Sequence, residues 1–83
     1  MLRAYKDKAY IGFQMTFENG NTISVQFGRL SMSSNKNAMN EQSPDGEVAI
    51  WNKDGKYFKG DTFGYCNADE VAKYIEIART TNF

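Results

Sequence analysis

Apolar and polar residues alternate along two stretches of the first third of the chain. Ile11, Phe13, Met15 and Phe17 alternate with Gly12, Gln14 and Thr16, the period of a strand with one buried face. A second run, Thr22 to Phe27, turns Ile23, Val25 and Phe27 inward and Ser24 and Gln26 outward. Between them Glu18-Asn19-Gly20-Asn21 reads as a turn. A two-residue Asn19-Gly20 loop would set Ile23 against Thr16 and mix the two faces, so the loop must be odd in length. The simplest choice is Asn19 to Asn21, with Asn21 in the left-handed region and a bulge beside it. That frame places Ile23 opposite Phe17, Val25 opposite Met15 and Phe27 opposite Phe13.

The same test applies to Asp45–Phe63, which contains the only Trp. Asn52-Lys53-Asp54-Gly55 has the residue order of a type I turn followed by a left-handed glycine. A Lys53–Gly55 loop sets Asn52 opposite Lys56, Trp51 opposite Tyr57 and Ile50 opposite Phe58. Val48, Ile50 and Phe58 then belong to the core, while Ala49, Trp51 and Tyr57 lie on the other face. A two-residue Asp54-Gly55 loop would instead pair Ile50 with Lys59.

The remaining segments complete the outline. Residues 1–9 are weakly patterned, either a ragged lead-in or the start of a long first strand. Ser31–Gly46, SMSSNKNAMNEQSPDG, is rich in Ser and Asn and holds the only Pro. Its composition leans toward a mobile connector, with an ordered functional loop as the alternative. Met32 and Met39 there either pin the loop to the core or grip a partner. Asp61 to Tyr65 adds a short further strand. Asn67 then caps a helix, with Glu70 completing a capping box and Asp69 beside the positive end of the dipole. Val71, Ile75 and Ala78 form its apolar stripe, widened by Ala72, Tyr74 and Ile77, while Lys73, Glu76 and Arg79 face water. The helix ends near Thr80 without a Gly cap. The expected fold is α+β: one domain over residues 1–83, a four- to five-stranded antiparallel sheet of two hairpins with the C-terminal helix on one face.

Composition narrows the chemistry. A chain of 83 residues buries roughly 60 to 65 per cent of the surface its unfolded form exposes, enough for a small two-layer core. Ten basic and ten acidic residues cancel, so no global field draws the chain to nucleic acid or an anionic membrane. A lone cysteine makes no internal disulfide and points to a reducing compartment, the cytoplasm. The opening MLRAYKDKAY carries Arg3, Lys6, Asp7 and Lys8 where a signal peptide needs an apolar run, and no stretch is apolar enough for a membrane helix. With no histidine there is no Ser-His or Cys-His nucleophile pair, and one cysteine cannot make a structural zinc site. No glycine-rich phosphate loop opens a helix, and the aspartates at 45, 54 and 61 do not match a calcium loop. The reading is non-enzymatic, with no cofactor and no metal. Cys66, just before the helix, could be activated by its dipole, but a small buried residue under the helix is the simpler reading.

What remains is a surface. Trp51 and Tyr57, with Lys53, Lys56 and Lys59 nearby, could stack bases while the ammonium groups meet phosphates. Equally, the rings could cover a secondary cluster with Tyr65 or the N-terminal segment. Trp and Tyr are also the residues most enriched among interface hot spots, and an edge strand could pair with a partner's strand. The absence of net charge favours a protein partner over nucleic acid. Trp51→Ala is then expected to weaken binding while leaving the thermal midpoint nearly unchanged.

Three blocks, FENGNTISVQFG (Phe17 to Gly28), EVAIWNKDGKYF (Glu47 to Phe58) and GYCNADEVAKY (Gly64 to Tyr74), occur in this order in the chain. In them the sequence resembles short proteins of unassigned function encoded by tailed bacteriophages. The resemblance implies a phage or prophage origin and, by analogy with other small phage accessory proteins, action by binding in the host cytoplasm. The expected function is a non-enzymatic accessory protein that binds a host or phage protein, such as a host enzyme or defence system, through Trp51, Tyr57 and the 31–46 loop. Single-stranded nucleic-acid binding through the same rings with Lys53, Lys56 and Lys59 is the alternative, and a homo-oligomeric structural protein is a third.

Overall fold

The computed structural model describes residues 1–5 and 9–83; Lys6, Asp7 and Lys8, whose charges entered the signal-peptide reading, lie outside the described residues. Five strands, β1 (Leu2–Ala4), β2 (Gly12–Thr16), β3 (Thr22–Gln26), β4 (Gly46–Trp51) and β5 (Phe63–Cys66), precede one helix, α1 (Ala68–Thr80). The strands pair antiparallel in sequence order, and α1 lies across β3, β4 and β5. This is the expected α+β arrangement, with residues 2–4 forming a separate edge strand.

The alternation predicts the faces correctly. Ile23, Val48 and Ile50 are fully buried beneath α1 with Val25 and Cys66, and Ala78 of the helix closes over them. Burying each large aliphatic side chain contributes about 1.5 to 3 kcal/mol. Phe63 stacks on Tyr74 of the helix at 4.5 Å between ring centroids, and Phe83 packs edge-on to Phe58 at 5.4 Å.

The first hairpin is displaced by two residues from the expected frame. Met15 faces Ile23 and Phe13 faces Val25, and the Phe17 N–H donates to the Asn21 carbonyl across a loop of Glu18, Asn19 and Gly20. Gly20, at φ 88°, takes the left-handed position expected of Asn21. Glycine occupies that region at lower cost, and Asn21 is used elsewhere. Its amide donates to the carbonyls of Ala78 at 2.9 Å and Thr81 at 2.6 Å, and the Asn19 amide donates to those of Ala78 and Arg79. These side chains satisfy carbonyls at a helix end that has no glycine cap.

The second turn follows the expected frame at its tip. Asn52 N–H donates to the Lys56 carbonyl, Gly55 stands at φ 81°, and Trp51 bridges to Tyr57. The Ile50–Phe58 pair does not form. The chain leaves the ladder after Tyr57 in a single 3-10 turn, Phe58–Gly60, with Lys59 at φ 56°. Phe58 reaches the core through Phe63 and Phe83 instead, and Val48 pairs with Phe63 of β5.

The helix start matches its sequence signal, since Asn67 accepts from the Glu70 N–H and the Glu70 carboxylate accepts from the Asn67 N–H. Ala72, expected on the apolar stripe, is exposed, because the covered face is narrower and centres on Ala78. The connector expected to be mobile is tied in by its own polar side chains. Asn35, 3% exposed, donates to the carbonyls of Phe27 and Asn40 and accepts from the Asn40 N–H. Ser34 donates to Asp45, and the Met32 carbonyl accepts from the Tyr65 N–H.

Candidate partner-binding face

The face opposite α1 is built from the outward positions of the strands. Strand register lines up Gln14, Ser24 and Ala49 in one row and Thr16, Thr22 and Trp51 in the next, with Tyr57 bridged to Trp51. Sequence alternation leaves this face open, yet Thr22 and Ser24 are buried. The Tyr5 hydroxyl lies 2.6 Å from Ser24 Oγ and accepts from Gln14 Nε2 at 2.8 Å, while the Tyr5 ring stands 5.7 Å from that of Tyr10. Two tyrosines from the N-terminal segment thus roof the middle of the face and leave its two ends uncovered.

Trp51 and Tyr57 occupy one end. Their centroids are 5.8 Å apart and their planes inclined at 32°, a geometry worth about 0.5 to 1.5 kcal/mol beyond area burial. Neither ring joins the cluster under the helix. Tyr57 is 42% exposed and Trp51 is half-buried. Removing the indole therefore exposes the pair's inner side and costs stability, about 1 to 3 kcal/mol, in place of the unchanged midpoint expected from sequence.

The lysines divide. Lys56 is exposed and adjoins Tyr57 in the chain. Lys53 is exposed at the turn and its stem lies over Gly20, where an added Cβ would come within 3.2 Å of Lys53 Cβ. Lys59 sits 5.8 Å from the centroid of Phe58, whose ring belongs to the helix-side cluster, so its ammonium is drawn away from the indole.

Met32 and Met39 lie at the other end of the sheet, where β3 runs out toward Phe27, ~16 Å from Trp51 by strand rise. Met32 is 48% exposed and its side chain crosses Gly64 on the helix-free face. Its N–H donates to Glu47 Oε1, and Glu47 Oε2 accepts from the Thr62 hydroxyl. Met39 is half-buried at φ 54°, its N–H donating to the Asn35 carbonyl within the loop. Tyr65, 51% exposed, which the sequence offered as a cover for the Trp51–Tyr57 rings, is instead bonded to the Met32 carbonyl, and Leu30, two residues before Met32, is 60% exposed and was not anticipated. Tyr65 owes its exposure to a left-handed backbone, φ 56°, beside the irregular β4–β5 register, for which the sequence carries no local signal.

Cys66 is a core residue here. It is 4% exposed, its thiol points to the carbonyls of Phe63 and Gly64, and burial pushes its pKa up, with the charges of Glu70 and Asp45 adding to the shift. Desolvation thus outweighs the helix dipole that could have activated it. Among the described residues no group of three or more Cys, Asp and Glu side chains is placed to hold a metal ion, and no helix is long and apolar enough to cross a membrane. No family model matches the chain, and no curated protein or solved structure matches it either.

Proposed function

We propose that the chain is a non-enzymatic accessory protein of phage origin that binds another protein in the host cytoplasm through the helix-free face. The observation that carries this reading is the Trp51–Tyr57 pair, in tilted ring contact outside the helix-side core with Tyr57 42% exposed. Aromatic side chains of this kind supply rigid contact area at low entropic cost and dominate protein interfaces. Met32 and Tyr65, joined by a backbone hydrogen bond, add a second exposed apolar group toward the other end of the sheet. The phage assignment draws on the three sequence blocks alone.

Affinity capture from infected host cells tests the reading. Wild type and Tyr57→Ser are compared at a temperature well below the melting point of both, because losing the ring contact with Trp51 costs about 0.5 to 1.5 kcal/mol. A protein retained by the wild type and lost with Tyr57→Ser supports the proposal; equal retention by both contradicts it. Lys53 and Lys56 at the same end support single-stranded nucleic-acid binding as the second reading. Affinity for an oligonucleotide that falls steeply with salt, with a log–log slope of roughly −0.7 per phosphate neutralised, would select that reading.

A further inference from the structure

The two edges of the sheet are finished differently. At β5 the Tyr65 N–H donates to the Met32 carbonyl, so the 31–46 loop closes that edge. At β1 nothing comparable is present among the described residues. Met1 and Thr16 exchange both backbone bonds, and the Tyr5 N–H donates to the Gly12 carbonyl. Antiparallel alternation then makes Arg3–Gln14 a bonded pair and turns the N–H and C=O groups of Leu2 and Ala4 outward. The helix lies over β3, β4 and β5, so Leu2, 77% exposed, lies beside the half-buried Met15 at the open margin of the apolar face. Outward N–H and C=O groups on an edge strand template the addition of another strand, and β1 offers those of Leu2 and Ala4.

Charge decides the occupant. Arg3 is exposed, points to the opposite face from Leu2 and Ala4, and has no ion pair among the described residues. A second copy paired over the full length of β1 would set Arg3 directly against its own counterpart, and like charges in that position oppose pairing. We propose that β1 is a docking edge for an extended segment of another protein, running antiparallel, in which an acidic residue opposite Arg3 is flanked by two apolar ones. Those flanking residues exchange backbone bonds with Leu2 and Ala4 and extend the apolar strip over Met15 and Phe13. This surface is separate from the Trp51–Tyr57 end of the sheet and stands or falls independently of it.

The probe is a fluorophore-labelled, amidated peptide, Thr-Thr-Ile-Glu-Val-Thr-Thr, followed by fluorescence anisotropy with the full chain. It is expected to bind, and an analogue N-methylated at Ile and Val is expected not to. Replacing its Glu by Lys should weaken binding by up to about fivefold, and R3E in the protein should invert that preference. Ala4→Pro removes an outward N–H without touching the β1–β2 ladder, a position where proline is tolerated, and should abolish binding at an unchanged melting temperature. No binding of the Glu peptide, equal binding of the N-methylated analogue, or indifference to the central charge would overturn the proposal. Sedimentation velocity of the free protein completes the test: a monomer agrees with it, whereas a dimer lost in Ala4→Pro would assign the edge to a second copy and overturn it.

Discussion

Asn21 ties the first hairpin to the end of the helix 57 residues further on, and its removal can be worked through from the structure. The side chain is 3% exposed and donates both amide hydrogens, to Ala78 and Thr81. Asn21→Ala removes both bonds. Ala78 keeps a donor in Asn19, but the Thr81 carbonyl loses the one it has from Asn21. At about 0.5 to 1.5 kcal/mol per bond, with some of the desolvation cost of an orphaned carbonyl, the loss is about 2 kcal/mol. For a domain of this size that is roughly 8 to 16 °C in melting temperature. Asn21→Asp is nearly isosteric but aims a carboxylate at the same carbonyls, at the negative end of the helix dipole, which costs a further ~0.5 to 2 kcal/mol at neutral pH. That environment raises the folded-state pKa of the introduced carboxyl above its unfolded value. The folded state then binds more protons between the two values, so stability falls as pH rises through that window. Below the unfolded value, about 3.9, the protonated Asp can itself donate one bond. Thermal melts by circular dichroism at pH 7 and pH 3.5 should therefore rank the proteins wild type, Ala, Asp at neutrality, with the Asp deficit shrinking relative to Ala in acid. An Asp variant as stable as Ala at pH 7, or an Ala variant within about 2 to 4 °C of wild type, the shift of a neutral surface change of about 0.5 kcal/mol, would refute the reasoning.

Three further outcomes are expected. Asn35→Ala removes the bonds that tie the 31–46 loop to Phe27 and Asn40, costing about 1 to 3 kcal/mol; limited proteolysis should then cut within residues 36–42 well before the wild type is cut. Cys66 should react with a disulfide reagent at pH 8 only as fast as the protein unfolds, because burial disfavours its thiolate; a rate matching that of the denatured chain would contradict this. Arg79 bonds the Glu76 carboxylate, at 2.7 Å for the shorter contact, and holds that carboxyl below its usual range, so the pair's contribution is lost as pH falls through the lowered folded-state value. Arg79→Gln should move the Glu76 midpoint upward in a carboxyl NMR titration, and an unmoved midpoint would contradict the assignment.

Which parts of this fold were legible follows from how local their causes are. The capping box at Asn67 and Glu70 and the Lys53–Gly55 loop are encoded within four residues, and both form as read. Alternation also placed Trp51 away from the helix. Alternation cannot detect a shift of two residues, however, because such a shift preserves every face. The first hairpin therefore depended on whether Gly20 or Asn21 turns left-handed, and contacts of Asn21 with the end of α1 decided it. The Ser- and Asn-rich loop read as a mobile connector because its bonds join Asn35 to Phe27 and Ser34 to Asp45, partners that composition does not identify. Lys59 left the expected site because the ladder breaks after Tyr57, a consequence of Phe58 packing with Phe63 and Phe83. The tyrosine roof over Ser24 was likewise hidden in a segment with little pattern.

The proposed binding face depends on the side of the sheet that the single indole occupies. A nuclear Overhauser spectrum of the folded protein measures this directly, since Trp51 gives one indole N–H resonance. Cross-peaks from the indole to the Tyr57 ring and to Thr22, with none to Val71, Tyr74 or Ile75, are expected. Cross-peaks to those helix residues would place the indole in the core and contradict the account.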